Sequence, residues 1–442
     1  MYSKLAQHIE SFKRYPLLKD ALTLATGSAV AQAMSFAASP ILARLYTPED
    51  FGVFSIYAFV TSLPSICWCY ELAVLLPKED DEGRHVVTLA IVIASVMTVL
   101  AVAPVLIGAP FMRLLNAPAL APWLGCLPIN LFALGVYQAV SYWYSRVGDF
   151  GRLAVSRVIQ SASTVGSQAA GGMLAAGAGG LIIGQVLGQV VASGFLWGSA
   201  VRRGELNAKA ALHSSTLMQT LYRYRRFPLY SSWGTLMSVA AFQVVPVLLS
   251  RHFGPTEAGF YFFGYRLMSA TVLLGASSIG QVLYQRAALA LNEGRSIAPL
   301  VEAVVGKLFG LFIVPFGVFM AFAPEVFAFV FGPRWRTAGH YMSIATPLFF
   351  IQMLTSPVSM VLFLLEKQHI AAFIQLALLM GTLGSFTLGK MLEATVTDTL
   401  AIYALIQCII YLAYLTIVLR LSSASLLNLL RAIGLGQARA KV

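Results

Sequence analysis

Charge is the first thing this chain is short of. Only 11% of its 442 residues are Asp, Glu, Lys or Arg, against about 25% in a soluble domain. Acids are the scarcer sign: 18 Asp and Glu stand beside 30 Lys and Arg, for a formal net charge of +12. Cysteine is also rare. Cys67, Cys69, Cys126 and Cys408 all lie inside apolar runs, so no disulfide framework is expected. Cys67 and Cys69 are too close together for an ordinary zinc site and have no His near them. The six His residues are scattered over loops and helix ends, which argues against a metal cluster. There is no Gly-x4-Gly-Lys-Ser/Thr loop, so ATP hydrolysis within this chain is not expected. Met1–Asp20 lacks the immediate apolar core and small-residue cleavage site of a signal peptide, and the first apolar run is expected to stay in the mature protein.

What fills the chain instead is apolar: 58% of residues are hydrophobic and mean hydropathy is +0.77. Such a composition fits an integral membrane protein. A membrane helix needs ~20 mostly apolar residues. Candidate spans run over Ala21–Ala43, Gly52–Leu76, Val86–Pro110, Leu120–Ser145, Leu153–Ala175, Gly180–Val201, Leu229–Ser250, Gly259–Tyr284, Leu300–Ala323, His340–Leu365, Ile370–Met391 and Thr399–Leu421. Barrel-type alternation is missing from these runs, so the expectation is an all-α integral membrane bundle of twelve helices.

Most Lys and Arg fall in the segments that share a side with the N-terminus, Arg146, Arg152 and Arg157 among them. Few, including Arg44, Arg113, Arg251, Arg334 and Arg336, fall on the other side. This bias predicts that both termini are cytoplasmic. It also assigns the positive charge to topology and to anionic membrane lipids rather than to nucleic acid.

The longest polar stretch, Arg202–Pro228, divides the spans six and six. The expected organisation is an N-terminal lobe over 1–201, a basic cytoplasmic linker over 202–228, a C-terminal lobe over 229–421 and a cytoplasmic tail over 422–442. Tyr222-Arg223-Tyr224-Arg225-Arg226 in the linker suits a membrane surface. The two halves share a landmark. Arg44-Leu45-Tyr46-Thr47-Pro48-Glu49-Asp50-Phe51-Gly52 returns 207 residues later as Arg251-His252-Phe253-Gly254-Pro255-Thr256-Glu257-Ala258-Gly259. Each copy follows the first span of its half. A period of six spans leaves both halves in the same orientation, so parallel-repeat lobes around a central cavity are predicted.

Two charged residues stand out within spans: Glu71 in the second and Arg266 in the eighth. Buried charge in a membrane costs at least ~2.5 kcal/mol at a helix centre, so each is a candidate site. Arg266 suits an anionic group such as a phosphate. Glu71 suits a proton, Na⁺ or a sugar; the plainer alternative for both is snorkelling or helix pairing. Arg44 and Arg251 either anchor their helix ends or form a cationic rim. Gln32, Gln168, Gln185, Gln189, Gln243, Gln281, Gln352, Gln375 and Gln407 could contact a glycan or pair helices in lipid. Gly180, Gly184 and Gly188 share a face and predict close helix packing, with a tight turn over Gly171–Gly180. The acidic run Glu79-Asp80-Asp81-Glu82 reads as a solvated charged turn.

Several stretches resemble the multidrug/oligosaccharidyl-lipid/polysaccharide exporter superfamily, and within it the bacterial O-antigen flippases of the Wzx type. They are Arg44–Gly52, Ala73-Val74-Leu75-Leu76-Pro77, Tyr144-Ser145-Arg146-Val147-Gly148-Asp149-Phe150 and Phe331-Gly332-Pro333-Arg334-Trp335. The resemblance implies two six-helix lobes around a V-shaped cavity in the bacterial inner membrane. It implies no enzyme activity and no ATP. The cargo would be an undecaprenyl-pyrophosphate-linked oligosaccharide moved to the outer leaflet by alternating access, with H⁺ or Na⁺ as the coupling ion. It places Glu71 and Arg266 on cavity-lining helices, and a polysaccharide polymerase and chain-length regulator among the partners. Two other functions are open to such a chain. A drug/cation antiporter of the same superfamily should carry more buried carboxylates. A membrane glycosyltransferase or polymerase should carry a long outside loop, and none is present.

Overall fold

The computed structural model describes residues 16–65, 74, 75, 77, 79–108, 117–206 and 214–424. Among them the regular structure is helical, with no strand. Each expected span overlaps one long helix, and Val86–Pro110 and His340–Leu365 also take in the short helices Val102–Ile107 and Val361–Leu364. The long helices are α1 (Pro16–Leu45), α2 (Pro48–Ser65), α3 (Asp80–Leu100), α4 (Cys126–Val147), α5 (Phe150–Met173), α6 (Ala178–Arg202), α7 (Arg226–Phe253), α8 (Pro255–Asn292), α9 (Ala298–Phe331), α10 (Arg336–Ser359), α11 (Gln368–Met391) and α12 (Val396–Leu421). A further amphipathic helix, Ser214–Tyr224, lies in the linker.

Among the described residues, six helical stretches are long and apolar enough to cross a membrane: Asp80–Ile107, Ala178–Arg202, Ala298–Phe331, Pro333–Leu364, Gln368–Met391 and Val396–Leu421. α5 is less apolar for a physical reason. Ser156, Ser161, Thr164 and Gln168 are buried on its packed side, while Val155 is exposed. Polar side chains face the protein and apolar ones face outward, as hydrocarbon demands. Phe322 and Phe329 on α9 and Leu174 at the end of α5 are among the exposed apolar residues.

The chain divides into two compact units, Met1–Leu236 and Met237–Val442. In the first, α1 packs on α5, α5 on α6, α4 on α6, α3 on α4, and α2 on α4 and α6. In the second, α11 packs on α12, α10 on α12, α9 on α10 and α8 on α10. α7 meets α11 through the Thr382 hydroxyl, which donates to the Ala241 carbonyl at 3.4 Å, and through His252 stacked on Phe386. Counting six helices on, the neighbour scheme of the first unit recurs in the second.

Close approach in the first unit is built on glycine. A Cβ on Gly180 would lie 3.0 Å from the Gly171 carbonyl carbon, one on Gly184 2.8 Å from the Gln168 backbone nitrogen, and one on Gly188 2.9 Å from that of Thr164. α5 and α6 are therefore in near backbone contact along the predicted small-residue face. Their connection is the expected tight turn, with Ala175 and Gly177 at positive φ. The second unit's interior is aromatic. Tyr261 and Tyr265 stack at 5.8 Å. Tyr261 hydrogen-bonds Tyr403, Tyr411 bonds Gln352 and Tyr414 bonds Ser359.

Candidate functional site

The two copies of the recurring turn sit at equivalent joints, between α1 and α2 and between α7 and α8. They are secured differently. In the first, Tyr46 is 1% exposed, and its hydroxyl donates to the Gln168 carbonyl at 2.6 Å. Burial, with a smaller contribution from Asp50, pushes this phenol up to about 12, so it stays a donor. The Thr47 backbone N–H donates to Asp50 Oδ2 at 2.8 Å, and the Asp50 N–H donates back to Thr47 Oγ1 at 3.2 Å. This reciprocal pair satisfies donors that open α2. In the second, Gly254 enters α8 at φ 98° without a side-chain cap, and the Tyr341 hydroxyl donates to Glu257. Arg44 and Arg251 are both exposed, and among the described residues no carboxylate pairs with either.

Glu71 lies outside the described residues. Arg266 is half-buried on α8, eleven residues from its start, or ~16 Å along the axis. No carboxylate among the described residues pairs with its guanidinium. Gln32 and Gln243 are half-buried. Gln281 lies on α8, its side chain outside the described set. Among the described residues, no hydrogen bond joins Arg44, Arg251, Arg266, Gln32 or Gln243 to one another.

Other glutamines pair helices. The Gln168 amide donates to the Leu181 carbonyl at 3.0 Å, tying α5 to α6. Gln160 donates to Gln189 Oε1 at 2.6 Å across the same seam. Gln407 donates to the Leu378 carbonyl and to Thr382 Oγ1, at 2.9 and 2.7 Å, tying α12 to α11. Gln375 Oε1 is buried with no hydrogen-bond partner in the structure. An apolar groove of about 510 Å³ lies between α3, α4 and α6, lined by Ile129, Phe132, Val136, Val190 and Trp197 among others. The Thr98 and Ser193 hydroxyls at its wall are bound to their own helix carbonyls, so the groove offers little to a sugar.

The acidic run is solvent-exposed at Asp80 and Asp81, as expected, but it opens a helix rather than forming a turn. Asp80, Asp81 and Glu82 form the first turn of α3, where carboxylates complement the helix dipole. Two of them also hold distant segments. Arg146, with its side chain 10% exposed, meets Asp80 Oδ1 at 3.2 Å and donates to the carbonyls of Val74, Pro77 and Glu79 at 3.1, 2.7 and 3.1 Å. Glu82 receives Arg223 at 2.6 Å and the Tyr224 hydroxyl at 3.0 Å, docking the linker helix on α3. Burial first, and then this bond to Glu82, raise the Tyr224 phenol above its ordinary value. Asp149 caps α5 by accepting from the Arg152 N–H at 3.2 Å, and its carboxylate also meets Arg203 at 3.4 Å. Sequence reasoning missed this cluster because its partners are distant along the chain.

It also missed Arg157, which it counted with the basic inner loop. Arg157 is on α5, seven residues from the start, and its guanidinium donates to the Ser28 hydroxyl of α1. The signal was present: Arg157 lies inside the predicted span Leu153–Ala175.

These features define a class: a multi-pass helical membrane protein. A multidrug resistance transporter of the MATE family in an inward-facing conformation superposes with a TM-score of 0.64 at 13% identity, covering 89% of this chain and 94% of that one. The lipid II flippase MurJ, in an inward closed conformation, superposes with a TM-score of 0.71 at 10% identity, covering 94% and 91%. The MATE transporter VcmN of Vibrio cholerae gives 0.57 at 15% identity, covering 92% and 96%. A comparison with curated protein sequences finds no match. The signature of the family described as polysaccharide biosynthesis protein matches residues 41–340, and the chain belongs to that family.

Proposed function

We propose that this protein is a flippase for an undecaprenyl-pyrophosphate-linked oligosaccharide. It moves its cargo from the inner to the outer leaflet of the bacterial cytoplasmic membrane by alternating access. Twelve helices in two parallel-repeat lobes cross the membrane, with both termini cytoplasmic. An H⁺ or Na⁺ gradient drives the cycle. The observation that carries this reading is membership of a polysaccharide biosynthesis family in a chain whose fold matches that of a lipid II flippase over nearly its full length. Transport of a polymer intermediate without catalysis reconciles the two.

In this reading Arg266 attracts the pyrophosphate and Glu71 binds the coupling ion or a sugar. Gln32, Gln243 and Gln281 meet sugar hydroxyls, and Arg44 and Arg251 form a cationic rim. A strain lacking the protein should accumulate lipid-linked glycan in the inner leaflet and lose surface glycan. Normal surface glycan in that strain would refute the proposal. Transport into inside-out vesicles, with and without a pH or Na⁺ gradient, tests the coupling. The similarity to MATE transporters favours a second reading, a cation-coupled drug antiporter. Unchanged drug susceptibility in the same strain would remove it.

A further inference from the structure

Arg157 stands on the packed side of α5. Residues at helical spacing around it, Ala154, Ser161, Thr164 and Gln168, are 8%, 9%, 8% and 0% exposed. Arg157 itself is exposed. A side chain on a buried stripe can be exposed only where the packing opens. The seam between α1 and α5 is closed on both sides of it. On one side, a Cβ on Gly27 would lie 2.5 Å from the Ala154 Cβ, so the helices touch there. On the other, the Ser161 hydroxyl donates to the Ala31 carbonyl at 2.7 Å and meets the Ser35 hydroxyl at 3.2 Å. Between these closures the guanidinium reaches Ser28 of α1.

The charge there is unspent. Five other cations of the first unit are matched by acids: Arg84 by Asp81, Arg146 by Asp80, Arg152 by Asp149, Arg203 by Asp149 and Glu205, and Arg223 by Glu82; among the described residues Arg44, Arg202 and Arg225, at or beyond helix ends, are not. Arg157 has no carboxylate partner among the described residues. Its depth is also informative. Seven residues from the start of α5 is ~10 Å of helix, and Ser28 is ~25 Å of helix from the end of α1 at Leu45. Against a hydrocarbon core of ~30 Å, that places the guanidinium close to one interface, at the depth of lipid phosphates. The charge bias assigns this end to the cytoplasmic side. A planar guanidinium with free N–H donors suits phosphate oxygens.

We propose that Arg157 and Ser28 form a phosphate site in the seam between α1 and α5, taken by the pyrophosphate of the lipid-linked cargo at the loading leaflet. The site rests on the flippase reading given above. It adds to that reading a first point of contact, separate from Arg266. Ser28 orients the empty guanidinium, and the phosphate replaces solvent on its remaining donors.

The test uses the full-length protein in phosphatidylcholine nanodiscs. Undecaprenyl pyrophosphate and uncharged undecaprenol are titrated into wild type, Arg157→Gln, Arg157→Lys and Ser28→Ala, with thermal unfolding recorded for each. The expected result is a loss of undecaprenyl pyrophosphate affinity of about 10-fold or more in Arg157→Gln, the scale of one charge-assisted contact. Arg157→Lys and Ser28→Ala should lose less, and undecaprenol binding should not move. Unchanged pyrophosphate binding in Arg157→Gln overturns the proposal, as does a parallel loss of undecaprenol binding. A second set of discs containing phosphatidylglycerol separates the lipid sources. If Arg157→Gln loses only its preference for those discs, the residue is a bilayer anchor and the proposal fails while the flippase reading stands. Wild type that ignores undecaprenyl pyrophosphate altogether would bring down the flippase reading itself, and this site with it.

Discussion

Substituting Gly184 by alanine should separate two effects that oppose each other on α6. Four glycines of this helix give the comparison. A Cβ on Gly184 would stand 2.4 Å from Gln168 Cγ and 2.8 Å from the Gln168 backbone nitrogen. One on Gly188 would stand 1.8 Å from Thr164 Oγ1 and 2.9 Å from the Thr164 nitrogen. Gly194 and Gly198 have nothing within 4 Å. In a helix interior, glycine to alanine is worth up to about 1 kcal/mol of stability. Gly194→Ala and Gly198→Ala should show that gain. At Gly184 the helices must move apart, and overpacking of this kind costs ~1–3 kcal/mol. The Gln168 amide would also be pulled off the Leu181 carbonyl, which it holds at 3.0 Å, costing roughly 1 kcal/mol more. The net expectation is destabilisation by about 1–3 kcal/mol, and a gap of ~2–4 kcal/mol from the two control variants. For units of this size 1 kcal/mol moves the melting temperature by ~2–4 °C, so the gap should be roughly 5–15 °C. Thermal unfolding in detergent, followed by tryptophan fluorescence, reads it. Adding Gln168→Ala should restore only part of the loss, because the backbone nitrogen still blocks the new methyl. If Gly184→Ala and Gly188→Ala melt at or above Gly194→Ala, α5 and α6 are not in near backbone contact and the reasoning is refuted.

Tyr46→Phe should cost about 1 kcal/mol, because it removes a buried hydrogen bond from the phenol to the Gln168 carbonyl; the same melting assay checks it. Glu82→Gln should loosen the linker helix by weakening its bond to Arg223. Trypsin should then cut after Arg223 or Arg225 roughly 2- to 5-fold faster, the scale of a surface ion pair. His252 is held below its ordinary value of 6.5, by burial first and then by Lys390 and Arg251. The folded protein therefore favours the neutral ring, and the unfolded chain binds the proton first as pH falls through 6.5. Stability should decline below that pH, and His252→Gln should flatten the decline in a melting series across pH.

Local chemistry was legible because it needs few long-range partners. Apolar runs of the right length marked α1 to α12, but not the amphipathic linker helix Ser214–Tyr224. The spelling of Arg44–Gly52 and Arg251–Gly259 located two equivalent joints. Gly180, Gly184 and Gly188 announced a close helix contact, because small residues at a four-residue spacing let two backbones approach. The candidate site was less legible. Glutamines share one sequence appearance whether they bind a sugar or a neighbouring helix. Only packing showed that Gln168 and Gln407 are spent on carbonyls of adjacent helices.

By itself, then, the sequence determined the solvent this protein folds in, its helices, its charge bias and its internal echo. These follow from transfer free energy and helical period, which act residue by residue along the chain. The tertiary structure alone decided which polar groups are satisfied. Tyr46 finds a carbonyl 122 residues away, and Arg146 closes on a segment 69 residues before it. Arg157 and Ser28, 129 residues apart, meet between two closed stretches of the α1–α5 seam. The cost of a charge in a span is set by its depth. Whether that cost is met by a carboxylate, a hydroxyl or a ligand depends on what the fold sets opposite it.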